Sequence, residues 1–241
     1  MLMRSVLAAA ELPVDHPCAA CDIRLRTFCK TLTAEELRRF KADGPTVTVG
    51  ARQPLFHEGD PAELVFNLIS GSAKLYKLLP DGRRQVTGFL FPGDFLGIAA
   101  GDEHAFTAET LEASEMCRFP RHRFEAFIEA RPPMKRELYR MAMHELAAAR
   151  QQMVLLGRKN APERLASFLL LLLGRIGDAA DRIALPMNRT DIADYLGLTK
   201  ETVSRAFTAF KSAGTIRLLA GDVVEILDGA RLETIASGAS H

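Results

Sequence analysis

The sequence predicts an α+β chain in three parts: an N-terminal all-β block, one long helix and a C-terminal winged helix-turn-helix. Three observations predict it. Glycines at positions 50, 59, 71, 82, 88, 93, 97 and 101 separate short apolar runs, the texture of an all-β sandwich or barrel. After Pro132 and Pro133, Tyr139, Ala142, Leu146, Ala149, Met153 and Leu156 recur at alternating steps of three and four, which is a heptad seam on a helix. Between Asn188 and Phe210, two short helical patterns meet at Gly197, the layout of a helix-turn-helix.

Composition sets the frame for these parts. At 241 residues the chain is long enough for one large or two ordinary domains. A composition 48% hydrophobic and 25% charged is that of a soluble globular protein. The net charge of +1 leaves any nucleic-acid contact to a local patch. The apolar run in residues 1–11 is cut by Glu11 and lacks the core of a signal peptide. The leucines of 169–173 are too few to span a membrane. A cytoplasmic protein with reduced thiols is expected, which argues against disulfides. No phosphate loop, nucleophile elbow or H-E-x-x-H motif is present, so an enzyme is not expected.

In chain order, Thr33-Ala-Glu-Glu36 carries a capping-box pattern and predicts a helix to about Lys41. Strands follow from residue 47, with a hairpin tip at Pro80-Asp-Gly-Arg-Arg84, and the block ends near Phe119-Pro120. The long helix runs to about Gly157, and its seam predicts a parallel homodimer. Ala142 and Ala149 bury little area, so the seam is weak enough to be switched. Ala161-Pro162 opens another helix with proline in its first turn. Residues 178–185 read as a linker. The domains expected are a cysteine segment (1–30), an all-β block (31–131), a dimerisation helix (132–158) and the winged helix-turn-helix (159–241).

The helix-turn-helix is the most specific pattern. Asn188 caps its first helix, Gly197 supplies the left-handed residue that ends it, and Thr199 caps the second. On the second helix Val203, Phe207 and Phe210 share one face, while Lys200, Glu201, Ser204, Arg205 and Thr208 share the other. Runs at 215–219 and 223–227 make a wing. Between Arg158 and Arg217 ten Lys and Arg face six Asp and Glu, an excess suited to phosphates. Arg205 can pair with guanine and Glu201 with cytosine, while Ser204 is small enough to approach a base edge. Arg189 and Lys211 suit phosphates. The alternative is a helical protein-interaction module with a solvated polar face.

Cys18, Cys21 and Cys29 are spaced C-x2-C-x7-C, and Cys117 lies far downstream. Two thiolates from one tight turn can grip one centre, and a third can close over it. Soft thiolates favour zinc, copper(I) or an iron–sulfur cluster. A structural zinc site more usually adds a second knuckle of the same kind.

In its β-roll, long helix, Ala161-x-x-Arg164-Leu-Ala166 entry and winged helix-turn-helix, the chain resembles the cyclic-AMP receptor/fumarate–nitrate regulator (Crp/Fnr) family of bacterial transcription factors. The likeness spans nearly the whole chain and makes the β block a cyclic-nucleotide-binding-like jelly roll. Glu201-x-x-Ser204-Arg205 resembles the recognition signature of the fumarate–nitrate branch, which implies TTGAT-type palindromic sites. Lys200 departs from the apolar residue frequent there, and adds a candidate contact beside Thr199. Where cyclic-nucleotide binders carry an arginine for the phosphate, His104-Ala-Phe-Thr-Ala108 places Phe106, so no cyclic nucleotide is expected. His57 and His104 are the residues a haem-sensing relative would use, although lone histidines are more often structural.

The resemblance implies that Cys18, Cys21, Cys29 and Cys117 ligate a [4Fe–4S] cluster that senses oxygen and favours the DNA-binding dimer. Ala149 stands where related oxygen switches can carry an acidic residue opposing dimerisation, which implies a dimer less dependent on its cluster. The exposed hairpin tip at residues 81–84 matches loops that touch RNA polymerase in the family. The alternatives are the same fold with structural zinc, or with cysteines that sense oxidants by thiol chemistry.

Overall fold

The computed structural model describes residues 12–178 and 181–239. The apolar run of residues 1–11 and two positions of the expected linker, 179 and 180, lie outside them. The chain divides into two compact units: one holds the chain up to Leu75 together with Phe89–His144, and the other holds Tyr76–Gly88 and Glu145–His241.

The first unit opens with cysteine-bearing turns and a 3-10 turn at Phe28–Thr31. Helix α1 (Ala34–Asp43) follows. Its capping box is complete: Thr33 Oγ1 accepts from Glu36 N at 3.3 Å, and Glu36 Oε2 accepts from Thr33 N at 2.9 Å. Eight strands then run β1 (Thr46–Val49), β2 (Pro54–Phe56), β3 (Leu64–Ser70), β4 (Ala73–Leu78), β5 (Arg84–Leu90), β6 (Phe95–Leu96), β7 (Thr107–Thr110) and β8 (Ser114–Pro120), of which residues 76–78 of β4 and 84–88 of β5 count with the second unit. They form two four-stranded sheets, ordered β1-β8-β3-β6 and β2-β7-β4-β5. This is the all-β architecture that the glycine punctuation predicts and the β-roll that the family resemblance implies.

The two-residue period of β3 and β8 decides what each face touches. Phe66, Leu68 and Met116 fill the roll with Ala73, Leu90, Leu96 and Ala108. Val65 and Phe119 point the other way, into a second core built with Phe28, Phe40 and Met134. Helix α2 (Arg121–Glu129) and helix α3 (Pro132–Arg158) close that core. Rings carry much of it, with Phe40 stacked on Phe119 at 4.3 Å and Phe28 against Phe95 at 4.3 Å. Burying each such ring contributes about 1.5–3 kcal/mol. Gly44, just after α1, is forced by this packing, because a Cβ there would fall inside the Phe119 ring.

The second unit carries helix α4 (Ala161–Ile176), β9 (Arg182–Ala184), α5 (Arg189–Leu196), α6 (Lys200–Ser212), β10 (Ile216–Leu218), β11 (Val223–Ile226) and α7 (Gly229–Ser237). The expected linker at 178–185 is in part a strand. Ile183 is its buried residue between exposed neighbours and stands opposite Val224, so the wing has three strands, ordered β10-β11-β9. A three-residue strand with one apolar position is too short for an alternation signal, and long-range pairing decides it. Helices α2 and α7 are also additions to the sequence reading. The long helix, α4 and the helix-turn-helix lie where the sequence places them.

Candidate functional site

Three separate segments bring the four cysteines to one cavity. Around the first two, His16 is a buried strut: its Nε2 meets Ala34 O of α1 at 2.9 Å, and its Nδ1 accepts from Cys18 N at 3.1 Å. Tight turns follow, Cys21 N donating to Cys18 O at 3.3 Å and Arg24 N to Cys21 O at 3.2 Å. Thr27 caps the 3-10 turn and accepts from Cys29 N at 3.2 Å. Cys117 lies on β8, opposite Thr46 of β1 and Asn67 of β3. All four residues border one small cavity, together with the polar residues Arg24, Lys41 and Asn67 and the rings of Phe40 and Phe119. Lys41 Nζ donates to Cys117 Sγ at 3.2 Å and also contacts Thr46 Oγ1.

The four cysteines are free thiols. Burial pushes the Cys18 thiol up to about 11 and Cys29 to about 12, with nearby cysteines adding to the rise, and burial raises Cys21 as well. Such thiols stay protonated at neutral pH unless a cation replaces their protons. Among the described residues no group of three or more His, Cys, Asp or Glu is drawn together tightly enough to hold a metal ion as it stands. The donor set nonetheless fits a soft, thiolate-ligated group: four sulfurs on one cavity, with cationic side chains beside them. His57 and His104 are not part of this cavity. His104 is instead stacked on Phe56 at 3.6 Å, and burial lowers its pKa.

The helix-turn-helix is built by local chemistry. Asn188 Oδ1 accepts from Thr190 N and Asp191 N at 2.8 and 2.9 Å, and Thr199 Oγ1 accepts from Thr202 N at 3.2 Å. Gly197 turns the chain at φ 61°. Arg164 fastens this turn to its surroundings. Its guanidinium donates to Leu156 O, Lys159 O and Leu196 O, each at 2.8 Å, and to Gly197 O at 3.3 Å. Arg84 grips the first helix: Nη2 meets Asp191 Oδ1 and Nε meets Asp194 Oδ2, both at 2.8 Å. The sequence suggested an exposed hairpin tip at residues 81–84; Arg84 is instead partly buried in this paired contact.

On α6, Val203, Phe207 and Phe210 are buried, while Lys200, Glu201, Arg205, Thr208 and Lys211 are exposed and Ser204 is half-buried. Thr199 is exposed at the helix start. Arg189 differs from a free phosphate arm, being half-buried with its guanidinium 3.5 Å over the Phe207 ring.

Two family models match the chain, a cyclic nucleotide-binding domain over residues 46–131 and a Crp-like helix-turn-helix domain over 163–235. The chain is 45% identical to the nitrogen fixation regulation protein FixK of Bradyrhizobium diazoefficiens, over 93% of this chain and 96% of that one. The chain belongs to the Crp/Fnr family. It is a DNA-binding transcription regulator rather than an enzyme. This Crp/Fnr regulator is also 37% identical to the transcriptional activator protein FnrL of Cereibacter sphaeroides, over 92% of this chain and 93% of the relative. The solved structure of FixK2 from Bradyrhizobium japonicum superposes with a TM-score of 0.76 at 36% identity, covering 80% of this chain and 96% of that one.

Along α3 of the regulator, five positions of the heptad seam, Tyr139, Ala142, Leu146, Ala149 and Met153, are exposed in the single chain. Leu156 is half-buried and lies against Gly197, so it also serves the packing of the second unit. Among the described residues no helix is long and apolar enough to cross a membrane.

Proposed function

We propose that this Crp/Fnr regulator is oxygen- or redox-responsive, and that Cys18, Cys21, Cys29 and Cys117 hold a [4Fe–4S] cluster that controls its homodimer and its binding to TTGAT-type palindromes. The observation that carries the reading is the meeting of four thiols from three chain segments at one cavity beside α3. When bound, the cluster supplies an oxygen-labile cross-link among four thiolates. The protein residues convert that tether into a packing change. Fixing Cys29 fixes Lys30, whose Nζ pairs with Glu137 Oε1 of α3 at 2.7 Å. Glu137 is also gripped by Arg140, which with Lys30 holds its carboxyl down at about 2. Phe28, one residue before Cys29, packs in the core that contains Met134, with Leu138 and Met141 against it. Releasing the cysteines thus frees the segment that braces the seam-bearing helix. Bias of a few kcal/mol suffices to move a weak dimer equilibrium.

Base reading falls to Glu201, Ser204 and Arg205, with Lys200, Thr199, Arg189 and Lys211 at the flanks. In a homodimer along Tyr139, Ala142, Leu146, Ala149, Met153 and Leu156, two α6 helices would reach half-sites one DNA turn apart. Phe106, partly exposed at the position of the phosphate-binding arginine, argues against a cyclic nucleotide. Relatives described as transcriptional activators, FnrL among them, support a positive effect on transcription, and contact with RNA polymerase is the route proposed for it. Direct oxidant sensing by Cys18, Cys21 and Cys29 is disfavoured by their raised pKa values, since the thiolate is the reactive form. Anaerobic reconstitution with iron and sulfide tests the reading. Brown protein with about four irons per chain, a [4Fe–4S] complement, is expected; colourless protein that retains zinc overturns it.

A further inference from the structure

We infer that Lys41 and Asn67 are hydrogen-bond donors to the sulfurs of the Cys18, Cys21, Cys29 and Cys117 site and set its reduction potential. The inference rests on the iron–sulfur reading above and assigns this site its tuning residues.

Two independent observations point to these side chains. Lys41 Nζ sits 3.2 Å from Cys117 Sγ, a charge-assisted contact made across the boundary between α1 and β8. Asn67 stands directly opposite Cys117 in the β3–β8 pair, and opposed residues of antiparallel strands project from the same face. It is 2% exposed and borders the cysteine cavity, and among the described residues its Oδ1 has no hydrogen-bond partner. A buried carboxamide with an open end is costly in an apolar core. The amide can turn its N–H2 end to the cavity by a flip about the last side-chain bond. The sulfurs are the polar atoms waiting there.

The direction of the effect follows from charge. Four thiolates make the site anionic, and one-electron reduction adds a further negative charge with no bond made or broken. Donors and a cation at the sulfurs stabilise the reduced form more than the oxidised one, so they raise the potential. Lys41 acts through full charge, Asn67 through a dipole, and Lys41 should have the larger effect.

The test uses the full chain, reconstituted anaerobically with iron and sulfide and titrated with dithionite while its spectrum is followed. Relative to wild type, Lys41→Gln should keep its iron but favour the oxidised form about tenfold more, which is about 59 mV more negative for a one-electron couple. Lys41→Arg should restore the wild-type potential. Asn67→Leu should shift it in the same direction by less, and offers a second reading should Lys41→Gln fail to fold. Wild-type potentials in both Lys41→Gln and Asn67→Leu, at full iron content, would overturn the inference while leaving the cluster reading intact. Wild-type protein that takes up no iron would overturn both.

Discussion

Replacing Arg164 with alanine gives the most demanding test of how the DNA-reading unit is held together. Arg164 reaches three carbonyls at 2.8 Å and a fourth at 3.3 Å, from the end of α3, the entry of α4 and the turn of the helix-turn-helix. Hydrogen bonds to a charged group contribute about 1.5–3 kcal/mol each in net terms. The side chain is half-buried and water can reach some freed carbonyls, so we discount the sum to about 3 kcal/mol. For a unit of this size that lowers Tm by roughly 10–20 °C. Urea unfolding followed by circular dichroism reads it directly. Arg164→Lys should recover less than half, because one ammonium cannot reproduce a fork aimed at several carbonyls. An Arg164→Ala protein within about 0.5 kcal/mol of wild type, the range of an ordinary surface change, would refute the reasoning.

Three further outcomes are expected. Arg205→Ala should relax base choice at one position and cost about 1–3 kcal/mol there, and equal weakening on all DNA sequences in a salt-matched binding assay would make it a phosphate contact only. Arg84→Ala removes one ion-pair partner from buried Asp191 and one from Asp194, so calorimetry should show the second unit destabilised by roughly 2 kcal/mol; an unchanged melt refutes the contact. In metal-free protein, Cys18 at about 11 against an ordinary 9.0 has a hundredfold less thiolate at pH 7, and higher intrinsic nucleophilicity recovers only part of that. Alkylation with iodoacetamide should be about tenfold slower than in urea-unfolded protein and should climb with pH past 9, whereas equal rates at pH 7 would contradict the burial.

What the sequence made legible was local. Capping at Thr33, Asn188 and Thr199, the left-handed Gly197 and the heptad along α3 depend on residues within a few positions of one another, and each lies where the pattern places it. In the sequence strand β9 has only the signals of a linker, because only its pairing with β11 makes it a strand. Arg84 looked like a solvated hairpin residue because Asp191 and Asp194 are more than a hundred positions away. The cysteine spacing announced a thiolate site, yet nothing local to Lys41 or Asn67 announced their place in it. Lys41 reads as the basic end of an amphipathic helix, and Asn67 as a polar interruption of a strand. Only the register that sets Asn67 against Cys117, and the packing of α1 on β8, brings them beside Cys117.

The most direct measurement takes one anaerobically reconstituted sample and records its affinity for a TTGAT-type palindrome, at fixed salt, before and after bleaching in air. The account predicts a brown protein that binds the palindrome at least about tenfold more tightly, a bias of about 1.4 kcal/mol, than the same sample once its colour and iron are lost. Equal affinity in the two states would contradict it.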